Sequence, residues 1–166
     1  TGRPECLLCA VEDITDRKLG EQRQAMEQAI NLVLAETETV PEVISKIIQC
    51  ICPAMRWHFG SYWSLDREAQ ELTFLESWGL DTPELCEFMS DRAQHVVNPA
   101  STGAQGLVQR IYTSGKPVWI ANVTREPGFT GAHLIANAGL QGAFGFPLLL
   151  GNKVLGVMEF FHRDAP

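Results

Sequence analysis

The strongest hydrophobic pattern in the chain runs from residue 142 to residue 162, where two apolar segments meet across the dipeptide Gly151-Asn152. Glycine at the first central position suits the primed turns, whose twist matches that of two antiparallel strands. The pattern therefore predicts a β-hairpin in which Leu150 lies opposite Lys153. Both faces of this hairpin are apolar, so we expect it to belong to a central sheet that is covered on both sides.

A regular register along this hairpin pairs Phe144 with Glu159 and Pro147 with Gly156. Paired residues share one face of a sheet, so this register places a carboxylate beside an aromatic ring on a largely apolar face. Proline donates no backbone hydrogen bond, so we expect the strand next to Pro147 to be short.

Two helical patterns precede the sheet. Residues 15–36 carry a narrow apolar stripe at near-heptad spacing in an otherwise polar sequence, which predicts a long amphipathic linker helix. That stripe consists of Leu19, Met26, Ala29 and Val33. Thr39 and Glu42 then form a capping box that starts a second helix, whose broad apolar stripe we expect to face the sheet. The second stripe consists of Val40, Val43, Ile44, Ile47, Ile48 and Ile51.

Strands and short helices alternate between these helices and the hairpin. Residues 57–66 and 71–79 are rich in aromatic side chains and predict an antiparallel strand pair. Pro83 begins a short helix, and Gly106 precedes another helix that ends at Gly115. The remaining predictions are a loop over 95–103, a short strand over 117–123 and a helix over 133–140.

Composition narrows the class of protein. The chain has 166 residues, a formal net charge of −7 and no cluster of Lys and Arg, which argues against a nucleic-acid partner. No apolar run approaches the roughly 18 residues that a membrane helix needs, and no secretory signal opens the sequence. Five cysteines, an odd number, favour reduced thiols and a cytoplasmic location over a disulfide framework.

Candidate catalytic and metal-binding patterns are weak. Cys6-Leu7-Leu8-Cys9 has the spacing of a zinc or redox pair, but a structural zinc site needs a second pair. Cys50 and Cys52 lie on a helix whose apolar stripe favours core packing, so we expect no metal site. The histidines lack a neighbouring pattern of nucleophile and base, so we expect no catalytic residue.

Two long segments carry a family resemblance. The order of motifs in these segments is similar to that of GAF domains. The segments are GLVQRIYTSGKPVWIANV, residues 106–123, and GLQGAFGFPLLLGNKVLGVMEFF, residues 139–161. The sequence differs from the GAF motifs at Asn122, where Asp is common, and at Gln141-Gly142, where Arg-Ser is common. The resemblance implies an α+β fold, with a central antiparallel sheet of five to six strands and helices on both faces.

A second resemblance covers the start of the chain. Asp13-Ile14-Thr15 follows an apolar run and resembles the D-I-T motif that ends a PAS domain before a charged helix. These resemblances imply three segments. Residues 1–14 would be the C-terminal strand of a PAS domain, residues 15–36 a linker helix, and residues 37–166 a GAF domain without its final helix. PAS followed by GAF is similar to the sensory half of bacterial histidine kinases and diguanylate cyclases. We therefore expect a PAS domain upstream and an output domain downstream.

The resemblance implies a non-catalytic sensory or regulatory module. Such a module binds a small ligand or mediates dimerisation, and relays the signal to a histidine kinase domain, or alternatively to a diguanylate cyclase or phosphodiesterase. The full-length protein would then be an enzyme, while this fragment would not. The stripe of Leu19, Met26, Ala29 and Val33 has no partner helix of its own, so we expect a parallel homodimer through it.

Two other classes of GAF protein use cysteines. Some reduce free methionine sulfoxide through pocket cysteines, and others attach a bilin to a cysteine in the same region. The loop over 124–142 contains no cysteine, which argues against both classes. The cofactor stays unassigned, and we expect no covalent bilin.

We expect any ligand site to lie between the sheet and residues 122–139, whose glycines and proline permit movement. The candidate ligand-binding residues are Trp63, Trp78, Trp119, Asn122, Phe129, His133, Phe144 and Glu159. In this interpretation Trp119 and Asn122 point into the space below the segment, and Phe129 and His133 enter from above. The alternative is that the tryptophans belong to the core, Phe129 fills the space, and Glu159 lies at the sheet margin, solvated or paired with an arginine.

Overall fold

A computed structural model describes residues 40–103 and 105–163 of the chain. The strands are β1 (Phe59–Asp66), β2 (Glu71–Gly79), β3 (Val96–Val97), β4 (Val118–Ile120), β5 (Gly142–Leu150) and β6 (Lys153–His162). They form one six-stranded sheet in the order β3-β2-β1-β6-β5-β4, with every neighbouring pair antiparallel. The predicted α+β class and antiparallel sheet are confirmed.

Helices cover both faces of this sheet, as predicted. They are α1 (Val40–Ala54), α2 (Pro83–Ala93), α3 (Leu107–Ser114), a 3₁₀ turn (Val123–Arg125) and α4 (Ala132–Asn137). The side chain of Thr82 caps α2, with Pro83 in its first turn, and Gly115 ends α3 in the left-handed conformation. The predicted signals for starting and stopping these helices are confirmed.

One face of the sheet packs against α1. Ile44, Ile47, Ile48 and Ile51 are buried there against aromatic residues of β5 and β6, so the predicted apolar stripe does face the sheet. Gly60 on β1 permits this close approach, because a Cβ atom at that position would lie 2.7 Å from Sγ of Cys52. This face is filled by side chains.

The opposite face packs against α2, α3 and α4. Its core contains Phe59, Trp63, Leu85, Phe88, Leu107, Ile111, Ile135, Val157 and Phe161. Gly145 on β5 lets α3 approach the sheet, because a Cβ there would clash with the side chain of Ile111.

The hairpin register differs from the prediction. Leu150 pairs with Lys153 as expected, but an irregularity next to Leu149 leaves Leu155 as an extra residue in β6. Gly145 therefore pairs with Glu159, and the predicted pair of Phe144 with Glu159 is wrong. Because side chains alternate along a strand, this shift places Phe144 and Glu159 on opposite faces of the sheet.

Pro147 pairs with Val157, so its predicted pairing with Gly156 is also wrong. The expected short neighbour is confirmed, because β4 pairs only with residues 143–145 of β5 and ends before Pro147. The predicted loop over 95–103 contains the two-residue strand β3.

The predicted PAS strand over 1–14, the linker helix over 15–36 and the Thr39 cap lie outside the described residues. No helix within residues 40–103 or 105–163 is both long and apolar enough to cross a bilayer.

Candidate functional site

Glu159 is a buried carboxylate near the middle of the sheet. It lies on β6 between Gly145 of β5 and Ser61 of β1, and its side chain is 0% exposed. Its Oε1 atom accepts hydrogen bonds from Oγ of Ser61 and Nε1 of Trp63, both at 2.8 Å. The small neighbours on either side leave room for the carboxylate, and both donors come from one strand.

Arg92, in the last turn of α2, supplies the opposite charge. Its guanidinium donates from Nη2 to the same Oε1 atom of Glu159. The group also lies over three aromatic rings, at 5.0 Å from the centre of Trp63, 5.3 Å from Phe88 and 5.6 Å from Phe161. These rings and the carboxylate hold the guanidinium against the sheet through cation–π and ionic interactions.

A cavity of about 580 Å³ opens beside this ion pair, and we call it the Glu159 cavity. It lies between the sheet and α2, α3, α4 and the loops that join them. Residues lining it include Trp63, Asp91, Arg92, His95, Val97, Ser101, Leu107, Gln109, Phe129, His133, Ile135 and Glu159. Its wall is therefore mixed, with apolar side chains around a small number of polar groups, as is usual in small-molecule sites.

Within the part of the chain that the structure describes, three buried polar atoms at this wall have no hydrogen-bond partner. They are Oε2 of Glu159, Nε of Arg92 and Oδ2 of Asp91. A buried polar atom without a partner costs about 1–3 kcal/mol, more when it is charged, so such atoms need an explanation. At the edge of a cavity, a bound molecule is one explanation.

Side chains of α3 hold the loops around the cavity. Arg110 donates to Oε1 of Glu126 at 2.7 Å and to the carbonyl oxygen of Pro127 at 3.2 Å, and its guanidinium lies 5.3 Å from the ring centre of Phe129. Gln109 donates to the carbonyl oxygen of Ser101 at 2.7 Å. Both loops are thus fixed to one helix, which shapes the cavity mouth.

The structure brings together half of the candidate ligand residues. Trp63, Phe129, His133 and Glu159 line the Glu159 cavity. Glu159 is buried rather than at a solvated margin, and its partner is Arg92, so the arginine pairing considered from the sequence is present.

The other candidates lie elsewhere. Trp78, Trp119 and Phe144 pack on the α1 face, where the ring centres of Trp119 and Phe144 are 4.9 Å apart. The expectation that Trp119 points into the same space as Phe129 is therefore wrong. The side chain of Asn122 caps the 3₁₀ turn by accepting from the backbone N–H and the hydroxyl of Thr124.

Sequence reasoning missed Arg92, Ser61, Asp91 and Gln109. The position of Arg92 could have been found from the sequence. It lies seven residues after Leu85 and four after Phe88, and therefore on the buried stripe of its helix. An arginine on such a stripe needs a buried partner. Ser61 has no comparable signal, because its role depends on pairing β1 with β6.

The described cysteines lie away from the cavity wall. Cys52 is buried on the α1 face, Cys50 is half-buried on the same helix, and Cys86 is exposed on α2. Burial raises the pKa of the Cys52 thiol well above its usual range. Among the residues that the structure describes, no group of three or more His, Cys, Asp or Glu side chains is placed to hold a metal ion.

A six-stranded antiparallel sheet with one filled face and one cavity-bearing face defines the class of fold, and comparison with known proteins identifies the family. The family model of the GAF domain matches residues 37–166. This chain belongs to the GAF domain family. No curated protein matches the sequence.

Solved structures agree on the fold. The GAF domain of a phosphoenolpyruvate-protein phosphotransferase from Acinetobacter has a TM-score of 0.66 at 16% identity, covering 90% of this chain and 81% of that one. The nlh2 GAF domain of A. aeolicus, solved in an inactive state, has a TM-score of 0.65 at 16% identity, with coverages of 87% and 83%. Free methionine-R-sulfoxide reductase from Neisseria meningitidis, in complex with its substrate, scores 0.65 at 13% identity, with coverages of 87% and 74%.

Proposed function

We propose that this GAF domain is a non-catalytic sensory or regulatory module that binds a small molecule in the Glu159 cavity. It relays that signal to an output domain of the same cytoplasmic protein, a histidine kinase or alternatively a diguanylate cyclase or phosphodiesterase, with a PAS domain upstream. The observation that carries the proposal is the cavity itself, whose wall holds a buried, incompletely paired carboxylate.

Size and position support this assignment. Small-molecule sites commonly have volumes of about 300–1,000 Å³, and the Glu159 cavity of about 580 Å³ falls in that range. The α1 face of the sheet is filled by aromatic and aliphatic side chains. The cavity-bearing face therefore has the space that a ligand requires.

The likeness to methionine-R-sulfoxide reductases makes that activity the alternative function. Reduction of a sulfoxide by cysteine needs a thiolate that reaches the substrate. Cys50 and Cys52 lie across the sheet from the cavity, and Cys86 is exposed on α2. These placements favour a binding module, and a turnover assay with free methionine sulfoxide distinguishes the two functions.

Dimerisation is the second part of the proposal. The stripe of Leu19, Met26, Ala29 and Val33 forms a parallel pair with a second copy, directly before the GAF domain in the sequence. A change in the pairing of two such helices gives the bistable element that signal relay requires.

Thermal unfolding against a library of small metabolites tests the binding function. Val97→Trp places a large ring in the cavity wall, and Leu75→Trp is the matched control at an exposed position of the neighbouring strand. A ligand at 100 times its Kd stabilises the folded state by about 2.7 kcal/mol. We expect this shift in the wild type and the control but not in Val97→Trp. A library without stabilising members, or equal shifts in all three proteins, would contradict the proposal.

A further inference from the structure

The hydrogen bonds to the Glu159 carboxylate are all made to one of its two oxygens. Ser61, Trp63 and Arg92 all donate to Oε1, whereas Oε2 is buried and accepts from none of the residues 40–103 and 105–163. An ionised carboxylate has acceptor sites on both oxygens and no donor of its own. Glu159 lines the cavity and its Oε2 atom is covered by neighbouring atoms, so a ligand with a hydrogen-bond donor fills this acceptor position once those atoms shift.

We propose, on the basis of the proposed function, that the ligand of the Glu159 cavity carries an ammonium or amidinium group that donates a hydrogen bond to Oε2 of Glu159. A nitrogen cation brings several N–H donors, and hydrogen bonds between ionised partners are stronger than neutral ones.

The charges along the cavity wall favour the same class of ligand. The ionisable groups there, besides His95 and His133, are Asp91, Arg92 and Glu159, so two carboxylates face one guanidinium. Oδ2 of Asp91 is buried without a hydrogen bond and lies 3.6 Å from Nδ1 of His95. The guanidinium lies over three rings and donates from Nη2 to Glu159, which leaves its Nε–H, among the described residues, as the one buried donor that an acceptor atom of the ligand would meet at this part of the wall. A phosphate or carboxylate ligand would meet a net negative wall, whereas a cation would neutralise it.

The other residues of the cavity wall indicate the chemistry of the rest of the ligand. Leu107, Phe129, Ile135 and Phe161 line the same cavity and offer apolar surface. The complementary molecule therefore has a cationic nitrogen at one end and an apolar body of moderate size. An aryl-alkyl amine is a simple probe of this description.

Matched probes test the inference on the wild-type domain. Each set comprises an amine, its N-acetyl derivative and the carboxylate of the same skeleton, for example phenethylamine, N-acetylphenethylamine and 3-phenylpropionate. The indole N–H resonance of Trp63 reports binding, because this group donates to Oε1 of Glu159. In the sets that bind, we expect the amine to bind at least about tenfold more tightly than its two relatives.

Variants provide a second test. Glu159→Gln keeps the shape of the side chain but removes its charge, and we expect about a tenfold loss of amine affinity. Glu68→Gln is the matched control, because Glu68 is exposed in the turn between β1 and β2 and does not line the cavity. An amide spectrum that matches the wild type shows that each variant is folded, and the wild-type probe series does not depend on either variant.

The outcomes are distinguishable from failure of the binding function. Preference for the carboxylate or N-acetyl probes, or unchanged amine affinity in Glu159→Gln, overturns the inference while leaving a ligand site in the cavity. Absence of any shift of the Trp63 resonance across the amine sets also overturns it. The proposed function itself is tested separately, by comparing the ligand-induced thermal shifts of Val97→Trp and Leu75→Trp.

Discussion

Arg92 and Glu159, which are 67 residues apart in the chain, form the ion pair that joins α2 to the centre of the sheet. Glu159 is fully buried and Arg92 has 19% of its side chain exposed. Removing one member of such a pair leaves the other charge buried, and the cost is about 3–5 kcal/mol. Loss of either partner alone is therefore expected to destabilise the domain as well as to change the cavity wall.

We expect Arg92→Met to lower the free energy of unfolding by about 3–5 kcal/mol, measured by urea denaturation. The control is Glu126→Ala, which breaks the more exposed pair with Arg110 and should cost about 1 kcal/mol. The double variant Arg92→Met with Glu159→Leu should recover part of the loss, because no charge then remains buried. Equal losses in the two single variants would show that Glu159 does not depend on Arg92.

Gly156 allows β6 to pack closely against Tyr62 and Trp63 of β1. A Cβ atom at this position would clash with the carbonyl oxygen of Trp63 and would lie 2.5 Å from the hydroxyl of Tyr62. We expect Gly156→Ala to destabilise the domain by about 1–3 kcal/mol, measured by thermal unfolding. Gly106→Ser is the control, because Gly106 caps α3 and a Cβ there would make only an ordinary contact, 3.7 Å from the carbonyl oxygen of Thr130. A melting temperature of Gly156→Ala equal to that of the wild type would refute the close packing.

Burial of Cys52 predicts a dependence of stability on pH. Because its pKa is raised in the folded state, the folded thiol keeps its proton where the unfolded thiol, with a pKa of about 8.5, loses it. The unfolded state then binds fewer protons, so stability is full below about pH 8.5 and falls above it by about 1.4 kcal/mol per pH unit. We expect Cys52→Ala to remove this slope between about pH 8.5 and 10 in urea titrations. An unchanged slope in that variant would assign it to other groups.

The same burial predicts selective alkylation. With Cys6 and Cys9 replaced by Ser, iodoacetamide at pH 8 should modify the exposed Cys86 and leave Cys52 unmodified, as read by peptide mass spectrometry. Rapid modification of Cys52 in the folded protein would contradict its burial between α1 and the sheet.

The dimer predicted from residues 15–36 is tested by charge insertion. We expect Met26→Lys with Val33→Lys to convert the protein to a monomer in sedimentation equilibrium, because lysines at stripe positions face a second copy. Gln24→Lys with Asn31→Lys adds the same charge off the stripe and should leave association unchanged. Association that survives the first double variant would rule out pairing through this stripe.

Much of the fold was predictable because its signals are local. The stripe of Ile44, Ile47, Ile48 and Ile51 repeats at helical spacing, and its burial on one face follows from that spacing. Thr82-Pro83 and Gly115 mark helix ends by conformations that few other residues satisfy as well. These features depend on neighbours within a few positions, which the sequence displays directly.

The register of the hairpin was not predictable in the same way. A two-residue turn implies regular pairing, and nothing in the residues around Leu155 marks it as an extra position. This single irregularity placed Glu159 on the face opposite to that of Phe144. The candidate site combined Phe144 with Glu159 for that reason, while the partners Arg92 and Ser61 come from elements distant in sequence.

The extra residue in β6 also determines which deletions the domain tolerates. Removing Leu155 would leave the regular ladder, since Leu149 already pairs with Val154 and Leu148 with Gly156. Glu159 would keep its place in the cavity wall. Loss of one residue between Gly156 and Glu159 would instead turn the carboxylate towards α1, into a filled apolar layer. Deletion of one residue is therefore compatible with this site at Leu155 and incompatible with it between Gly156 and Glu159.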